Sequence, residues 1–95
     1  MEQDLVIQPN GTVIWYRGWE KHNSSGPAVE YTDGTREWWF AGLRHREDGP
    51  AIEYANGDCS WFLHGIRYSF SEWIEQTNST PEQRTLLLLK WGSHA

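Results

Sequence analysis

The chain has 95 residues with a formal net charge of -5, and seven of its residues are tryptophan. A chain of this length is expected to fold as one small domain, and large aromatic side chains let few residues supply much of the buried surface. No run of Lys or Arg exceeds two residues. The sequence therefore lacks the basic footprint of direct nucleic-acid binding, and no nucleic acid is expected as a partner.

The chain carries no sequence signal for secretion or for a membrane. The first residues, 1–4, lack the positive and apolar regions of a signal peptide, and the longest apolar run, 86–89, is far too short to span a bilayer. Cys59 is the only cysteine, which excludes an intrachain disulfide and favours a reducing compartment. The expected location is the cytoplasm.

A unit of 23 residues recurs through the first two thirds of the chain. An Asn-Gly or Asp-Gly pair stands in each copy, at positions 10–11, 33–34 and 56–57. A tryptophan follows at the same distance in each copy: Trp15, Trp38 and Trp61. A fixed period of this length indicates a repeat architecture in which one small unit is stacked. Residues at a common phase are interpreted as scaffold, and function is sought where the copies differ.

The turn-forming pairs predict tight hairpin turns, because Asn-Gly and Asp-Gly suit turns whose two central positions need a positive φ. The sheet is predicted to be an antiparallel meander whose strand order follows the chain. Main strands are expected near 4–8, 12–17, 27–31, 35–40, 50–54 and 58–63, with short extensions near 19–22, 43–46 and 66–68. Gly26-Pro27 and Gly49-Pro50 predict a loop or bulge between extension and main strand, because proline cannot donate to a strand ladder.

Alternation along a strand decides which side chains share a face of the sheet. Trp15, Trp38 and Trp61 are predicted to lie on one common face, where they would form the core. The residues expected to stay partly exposed on the opposite face are Ile14, Tyr16, Trp39 and Phe62. Exposed aromatic side chains on a rigid sheet are typical of protein interfaces.

The repeat ends after Tyr68, and two short helices are predicted. A capping box at 69–72 starts a helix near 70–77, and Thr80-Pro81 starts a second helix near 81–91. Both helices are expected to pack on the sheet or to cap the open end of the array. Their apolar residues are expected to be covered: Phe70, Trp73, Ile74, Leu86, Leu87 and Leu89. The predicted fold class is mainly β with C-terminal α, in one domain of residues 1–95 that consists of hairpin repeats (4–68) and a helical tail (69–92).

The segment 42–54, together with Asn56-Gly57 and Trp61-Phe62, resembles a repeat found in small bacteriophage and prophage proteins. It is also similar, more distantly, to the membrane-occupation-and-recognition-nexus repeat, which shares the 23-residue hairpin unit. The resemblance covers residues 4–68. It implies a phage-encoded protein that acts in the cytoplasm of the host cell.

No group of residues has the spacing of a catalytic or metal site. His22 and His45 occupy equivalent repeat positions, yet no Cys-x-x-Cys or His-x-x-x-His pattern accompanies them, so they are interpreted as structural residues bonded across the loop. Asp48 is interpreted as a turn residue that accepts local N–H groups, and Cys59 as a core residue in the middle of a strand. No enzymatic activity, cofactor or metal is predicted.

Trp19 is the sharpest candidate for partner binding. The corresponding hairpin ends carry Gly42 and Gly65, so the fold does not demand a tryptophan at this position. An exposed aromatic side chain ringed by charges has the anatomy of a binding hot spot. The alternative is that Trp19 folds back over the sheet edge and only packs. The predicted partner-binding residues are Trp19, Arg17, Glu20, Lys21, Tyr16, Trp39, Phe62, Arg44 and Arg46.

The favoured hypothesis is a non-enzymatic module that binds a host protein, for example an inhibitor of a defence system such as an anti-CRISPR. One alternative is a protein that sequesters a nucleotide or sugar, with its rings stacked on the aromatic residues and held by Arg44 or Arg46. Another is a structural component of a phage particle. A homodimer, formed through the sheet edge or the exposed aromatic face, is also open. A deep pocket would favour a small ligand, and a flat aromatic surface a protein.

Overall fold

A computed structural model describes residues 3–92, in which ten β-strands precede two α-helices. The strands are β1 (Asp4–Ile7), β2 (Val13–Arg17), β3 (Glu20–Lys21), β4 (Val29–Glu30), β5 (Arg36–Glu37), β6 (Trp39–Phe40), β7 (Leu43–Arg44), β8 (Ile52–Glu53), β9 (Cys59–Leu63) and β10 (Ile66–Tyr68). The helices are α1 (Phe70–Gln76) and α2 (Pro81–Trp91). The main sheet has the order β1-β2-β4-β5-β8-β9-β10 with antiparallel pairing, while β3 pairs with β2 and β6 with β7. The predicted meander and fold class are confirmed.

The turns at Asn-Gly and Asp-Gly lie where they were predicted, but their backbone type differs. Only the glycines have a positive φ, at Gly11, Gly34 and Gly57. Each glycine N–H donates to the carbonyl three residues earlier, which is the pattern of a type I turn followed by a left-handed glycine. The preceding Asn or Asp instead accepts, through its side chain, the N–H two residues onward. The side-chain bond therefore stabilises the turn without a second positive φ.

Successive hairpins are joined through histidine side chains. Nδ1 of His22 accepts the N–H of Ala41 at 2.9 Å, and Nδ1 of His45 accepts the N–H of His64 at 2.9 Å. The predicted structural role is confirmed, but the partner is the end of the next hairpin rather than a group across the same loop. Each hairpin end is thus attached to the copy before it.

Strand register defines two faces of the sheet. The helix face carries, directly opposite one another, Val13, Glu30, Arg36, Glu53 and Cys59. Trp15 and Trp61 lie on this face by alternation within β2 and β9, and the Trp38 ring lies 5.6 Å from the guanidinium carbon of Arg36. The common face predicted for the three tryptophans is confirmed. The opposite face, which we call the ladder face, carries Ile14, Val29, Glu37, Ile52 and Ser60.

The helices cover the helix face around Trp61. The Trp61 ring lies 4.7 Å from that of Phe70 and 4.6 Å from that of Trp73, between centroids. Leu63 and Ile74 complete this buried cluster. Trp15 and Trp38 are only half-buried, because α1 packs against β9 and β10 at the far end of the sheet.

The capping box predicted at Ser69 with Glu72 is confirmed, and the second helix starts at Pro81 as predicted. Thr80 and Gln83 form a further capping box there, which was not predicted. Two expectations about the burial of α2 residues were wrong. Leu86 and Leu89, predicted to be covered, are 65% and 79% exposed, while Leu87 and Trp91 on the same helix pack against the Trp61 cluster.

Ile14, predicted to be partly exposed, is buried. It lies directly opposite Val29, on a stripe of the ladder face that also contains Glu37 and Ile52. Residues of this stripe are buried although the helices pack on the other side of the sheet. The repeat therefore encloses part of the ladder face with its own side chains.

Candidate binding face

Each hairpin end places an aromatic residue directly opposite a basic residue on the ladder face. The three pairs are Tyr16 with Lys21, Trp39 with Arg44, and Phe62 with Arg67. Because successive pairs are 23 residues apart, each copy of the repeat contributes one aromatic–basic pair at the same position of its hairpin. We call the resulting row, from Tyr16 to Arg67, the aromatic–cation ladder.

Neighbouring copies of the repeat contact one another through this ladder. Nζ of Lys21 lies 4.8 Å from the centroid of the Trp39 ring, which belongs to the next copy. The guanidinium carbon of Arg44 lies 5.0 Å from the Trp39 centroid and 5.5 Å from that of Phe62. These distances are typical of cation–π attraction, which holds rings and charges in fixed positions.

Glu37 anchors the middle of the ladder. The residue is 7% exposed, and its carboxylate accepts Nε1–H of Trp39 at 2.8 Å and the hydroxyl of Tyr31 at 3.2 Å. Arg44 Nη2 lies 3.7 Å from the same carboxylate. Burial, and then the Glu37 charge, raise the pKa of Tyr31, so its hydroxyl remains a donor. The carboxylate therefore fixes the orientation of both the ring and the guanidinium beside it.

Arg44 retains one unused donor. Its Nε is buried and has no hydrogen-bond acceptor among the residues that the structure describes. A buried donor without an acceptor costs free energy. The ladder also carries Lys21 and Arg67, which form no ion pair among the described residues, on one face of a chain whose net charge is -5, so this face suits an acidic surface.

Trp19 stands at the end of the first hairpin and is 99% exposed. The predicted alternative, that it folds back and packs, is therefore wrong. The corresponding ends have a positive φ at both central residues, Ala41-Gly42 and His64-Gly65, whereas here only Gly18 has one. A positive φ at the first central residue alone is typical of a type II′ turn, whereas a type I′ turn has a positive φ at both. The second central position, here Trp19, can therefore carry any side chain. The one-residue shift of glycine thus makes room for a tryptophan.

Within residues 3–92, the first hairpin end has no counterpart of the backbone bonds that hold the later two ends. Gly42 donates its N–H to the carbonyl of Lys21, and Gly65 to that of Arg44, so each later end is bonded to the copy before it. β1 offers no such extension to Gly18 and Trp19. A cavity of about 470 Å³ lies beside this free end and is lined by Asp4, Val6, Tyr16, Gly18 and Trp19. Asp4, Val6 and Tyr16 belong to the ladder face, so Trp19 adjoins the ladder at Tyr16.

Six of the predicted residues are therefore brought together: Trp19, Tyr16, Lys21, Trp39, Arg44 and Phe62. Arg17 and Glu20 are paired on the helix face, as alternation from Val13 and Trp15 requires.

Arg46 also lies apart from the ladder. Its guanidinium carbon is 3.8 Å from the Trp38 centroid, and its N–H groups donate to Asp48, to Glu53 and to the carbonyl of Pro50. Arg46 therefore organises its own loop, and we do not include it in the candidate site.

Another cavity, of about 460 Å³, lies between the two loops, lined by residues 23–26 and by Trp38, Phe40, His45, Arg46, Glu47 and Asp48. Its aromatic rings could stack on a nucleotide or sugar. However, the Arg46 guanidinium is already bonded to the carboxylates of Asp48 and Glu53. The negative charges of Glu47 and Asp48 would also repel a phosphate group. Within residues 3–92, no three His, Cys, Asp or Glu side chains converge as metal ligands, and neither helix is long and apolar enough to cross a membrane.

No protein-family model, no curated protein and no solved structure matches the chain significantly. The aromatic–cation ladder and Trp19 are accordingly interpreted from their own geometry.

Proposed function

We propose that the protein is a non-enzymatic binding module, which occupies the surface of another protein through the ladder and Trp19. The observation that carries this proposal is the full exposure of Trp19 at one end of a row of fixed rings and cations. Tryptophan, tyrosine and arginine contribute most to binding energy at interfaces. Rings held by the Glu37 carboxylate and by cation–π contacts lose little further freedom on binding. The partner should present an acidic surface with apolar patches.

The resemblance of residues 42–62 to repeats of phage and prophage proteins supports a host protein as the partner. The chain would then act in the host cytoplasm, for example as an inhibitor of a defence system such as an anti-CRISPR. Occupation of a functional surface on that component is sufficient for inhibition, so no catalytic group is required.

A small-ligand sequestering protein remains the second candidate, and the cavity beside Trp38 and Phe40 is the observation that favours it. Three features make it the weaker candidate: the Arg46 guanidinium is engaged, the lining contains two acidic residues, and Trp19 has no part in it. No feature of the described residues favours a structural component of a phage particle.

The test is capture of partners from a host lysate by the tagged chain, followed by affinity measurement on the purified partner. Trp19→Ala should raise Kd at least tenfold, which corresponds to about 1.4 kcal/mol, with an unchanged melting temperature. Arg67→Glu should also weaken binding, because it reverses a charge on the ladder. Leu89→Ala is the matched control, since Leu89 is exposed on α2 and away from the ladder.

Two results would contradict the proposal. One is wild-type affinity of Trp19→Ala and Arg67→Glu together with loss of binding in Leu89→Ala, which would move the site to α2. The other is a result in which the tagged chain captures no protein from the lysate, while calorimetry detects binding of a nucleotide or sugar. Trp38→Ala would have to abolish that binding. That result would establish the sequestering protein instead.

A further inference from the structure

Among residues 3–92, β1 is an edge strand of the sheet, and its apolar side chains are exposed. Leu5, Val6 and Ile7 are 48%, 41% and 66% exposed, and β1 is the first strand in the sheet order. Edge strands that remain in water are usually protected by lysine, proline or a bulge. Asp4 is the one charged residue of β1, and the strand contains no lysine or proline. The strand at the opposite edge, β10, contains the charged residue Arg67 and has α1 packed against one of its faces.

The backbone of this edge is arranged for further pairing. Gln8 donates its N–H to Thr12, and Trp15 donates its N–H away from β1, to Ala28. Because backbone groups alternate in direction along an antiparallel strand, the N–H and C=O groups of Leu5 and Ile7 point away from β2. The edge thus presents two donors and two acceptors in a row.

The sequence of β1 is complementary to itself in an antiparallel arrangement. With Val6 on a two-fold axis, Leu5 lies opposite Ile7 of the second copy, and Asp4 lies opposite Gln8. Apolar side chains then face one another, no carboxylates meet, and the outward groups of Leu5 and Ile7 form four hydrogen bonds.

The neighbouring registers are worse. A shift of two residues in one direction places the Asp4 carboxylate opposite Val6. A shift in the other direction places Leu5 opposite Pro9, which has no N–H to donate. The hydrogen bonds and the side chains therefore favour the same register.

We propose that β1 pairs with β1 of a second copy, so that the protein forms a two-fold symmetric dimer with a continuous sheet. Such an interface is isologous and closes at two subunits. It is small compared with the roughly 800 Å² per partner of a standard interface, so the dimer should be weak and depend on concentration. This proposal does not rest on the proposed function.

The test is sedimentation velocity of the full chain over a wide range of concentrations. The wild type should shift from monomer to dimer. Val6→Lys and Val6→Glu should each be monomeric, because like charges meet on the two-fold axis, while an equimolar mixture of the two should dimerise. That recovery requires position 6 to face itself. Unchanged circular dichroism and melting temperature of each variant would show that the fold is intact.

Ile7→Pro tests the backbone directly, because it removes an outward N–H and leaves the bonds to β2 in place. It should be monomeric with a near-native melting temperature. Leu89→Lys, on the exposed surface of α2, should dimerise like the wild type and so serves as the control.

A wild type that stays monomeric at every concentration would overturn the proposal. So would dimerisation of Ile7→Pro, failure of the charged mixture to dimerise, or loss of the dimer in Leu89→Lys. The same variants distinguish failure of this proposal from failure of the proposed function. Trp19→Ala should dimerise normally, and monomeric Ile7→Pro should still bind the partner.

Discussion

Replacement of Trp73 should be among the most destabilising single changes in the chain. Trp73 is 0% exposed, and its ring packs 4.6 Å from Trp61 and 6.2 Å from Phe70, between centroids. Its Nε1–H also donates to the carbonyl of Arg46 at 3.0 Å. One side chain therefore links α1, β9 and the loop that follows β7.

The magnitude follows from these contacts. Truncation of a buried tryptophan to alanine costs about 3–5 kcal/mol, and loss of the hydrogen bond to Arg46 adds about 1 kcal/mol. A small domain has a free energy of unfolding of only about 5–15 kcal/mol, so Trp73→Ala should leave a marginally folded chain. Trp73→Phe retains much of the ring and should cost less than Trp73→Ala, but more than the hydrogen bond alone.

The assay is urea denaturation followed by far-ultraviolet circular dichroism, since seven tryptophans make fluorescence a composite signal. Leu89→Ala, in the same tail but exposed, is the control and should change the free energy of unfolding by less than about 0.5 kcal/mol. A loss below about 1 kcal/mol for Trp73→Ala, or an equal loss for Leu89→Ala, would refute the packing described for the tail.

Acidification, thiol chemistry and truncation test three other parts of the structure. Burial, with the Arg17 charge as a second cause, lowers the pKa of His22 below 6.5. The unfolded chain therefore binds more protons than the folded chain as the pH falls. The stability due to His22 is present above about pH 6.5 and is lost at lower pH. His22→Ala should flatten that slope in melts at several pH values, and an unchanged slope would contradict this. Burial, and then the charges of Glu53 and Asp58, raise the pKa of the Cys59 thiol. A disulfide reagent should therefore react more slowly with the native chain than with the urea-unfolded chain at neutral pH. Equal rates would argue against burial of Cys59. Truncation after Tyr68 uncovers the Trp61 cluster and should give aggregates in size-exclusion chromatography, whereas a monomeric, cooperatively melting product would show that the tail is not needed.

Features fixed within a few residues could be predicted from the sequence. The turns at Asn-Gly and Asp-Gly, the capping box at Ser69 and the helix start at Thr80-Pro81 depend on local hydrogen bonds and lie where they were expected. Strand order followed from short connections and a fixed period. The turn type was missed, because the side-chain bond from Asn10 to the N–H of Thr12 supports a backbone that the dipeptide alone does not reveal.

Features that depend on distant packing could not be predicted. Alternation correctly assigned Ile14 to the face opposite the tryptophans, yet nothing local indicates that neighbouring strands enclose that side chain. A row of leucines predicts a buried helix face, but α2 contacts the sheet through Leu87 and Trp91 and leaves Leu86 and Leu89 in water. The bonds made by His22 and His45 reach 19 residues ahead, to a partner that only the stacking of copies brings near.

The candidate site was predicted in part for the same reason. Tyr16, Trp39 and Phe62 share a repeat phase, so alternation alone places them together. Glu37 was missed, although it was detectable as a charge at a phase where the other copies carry Ile14 and Ser60. Arg46 lies in a loop, where alternation gives no direction for a side chain, so the sequence did not indicate that its guanidinium is bonded to Asp48 and Pro50.

The attachment of each hairpin end to the preceding copy gives the array a polarity, which has consequences for its modularity. If a 23-residue copy were inserted between the second and third copies, its hairpin end would bond to the histidine of the copy before it. Its own histidine would bond to the hairpin end of the copy after it. It would lengthen the ladder by one ring and one cation, over about 10 Å for two added strands. A copy added ahead of β1 would instead supply the missing support for Gly18 and Trp19 and cover the free end. The number of copies therefore sets the length of the surface, and the one-residue shift of glycine in the first hairpin end leaves a tryptophan exposed at its start.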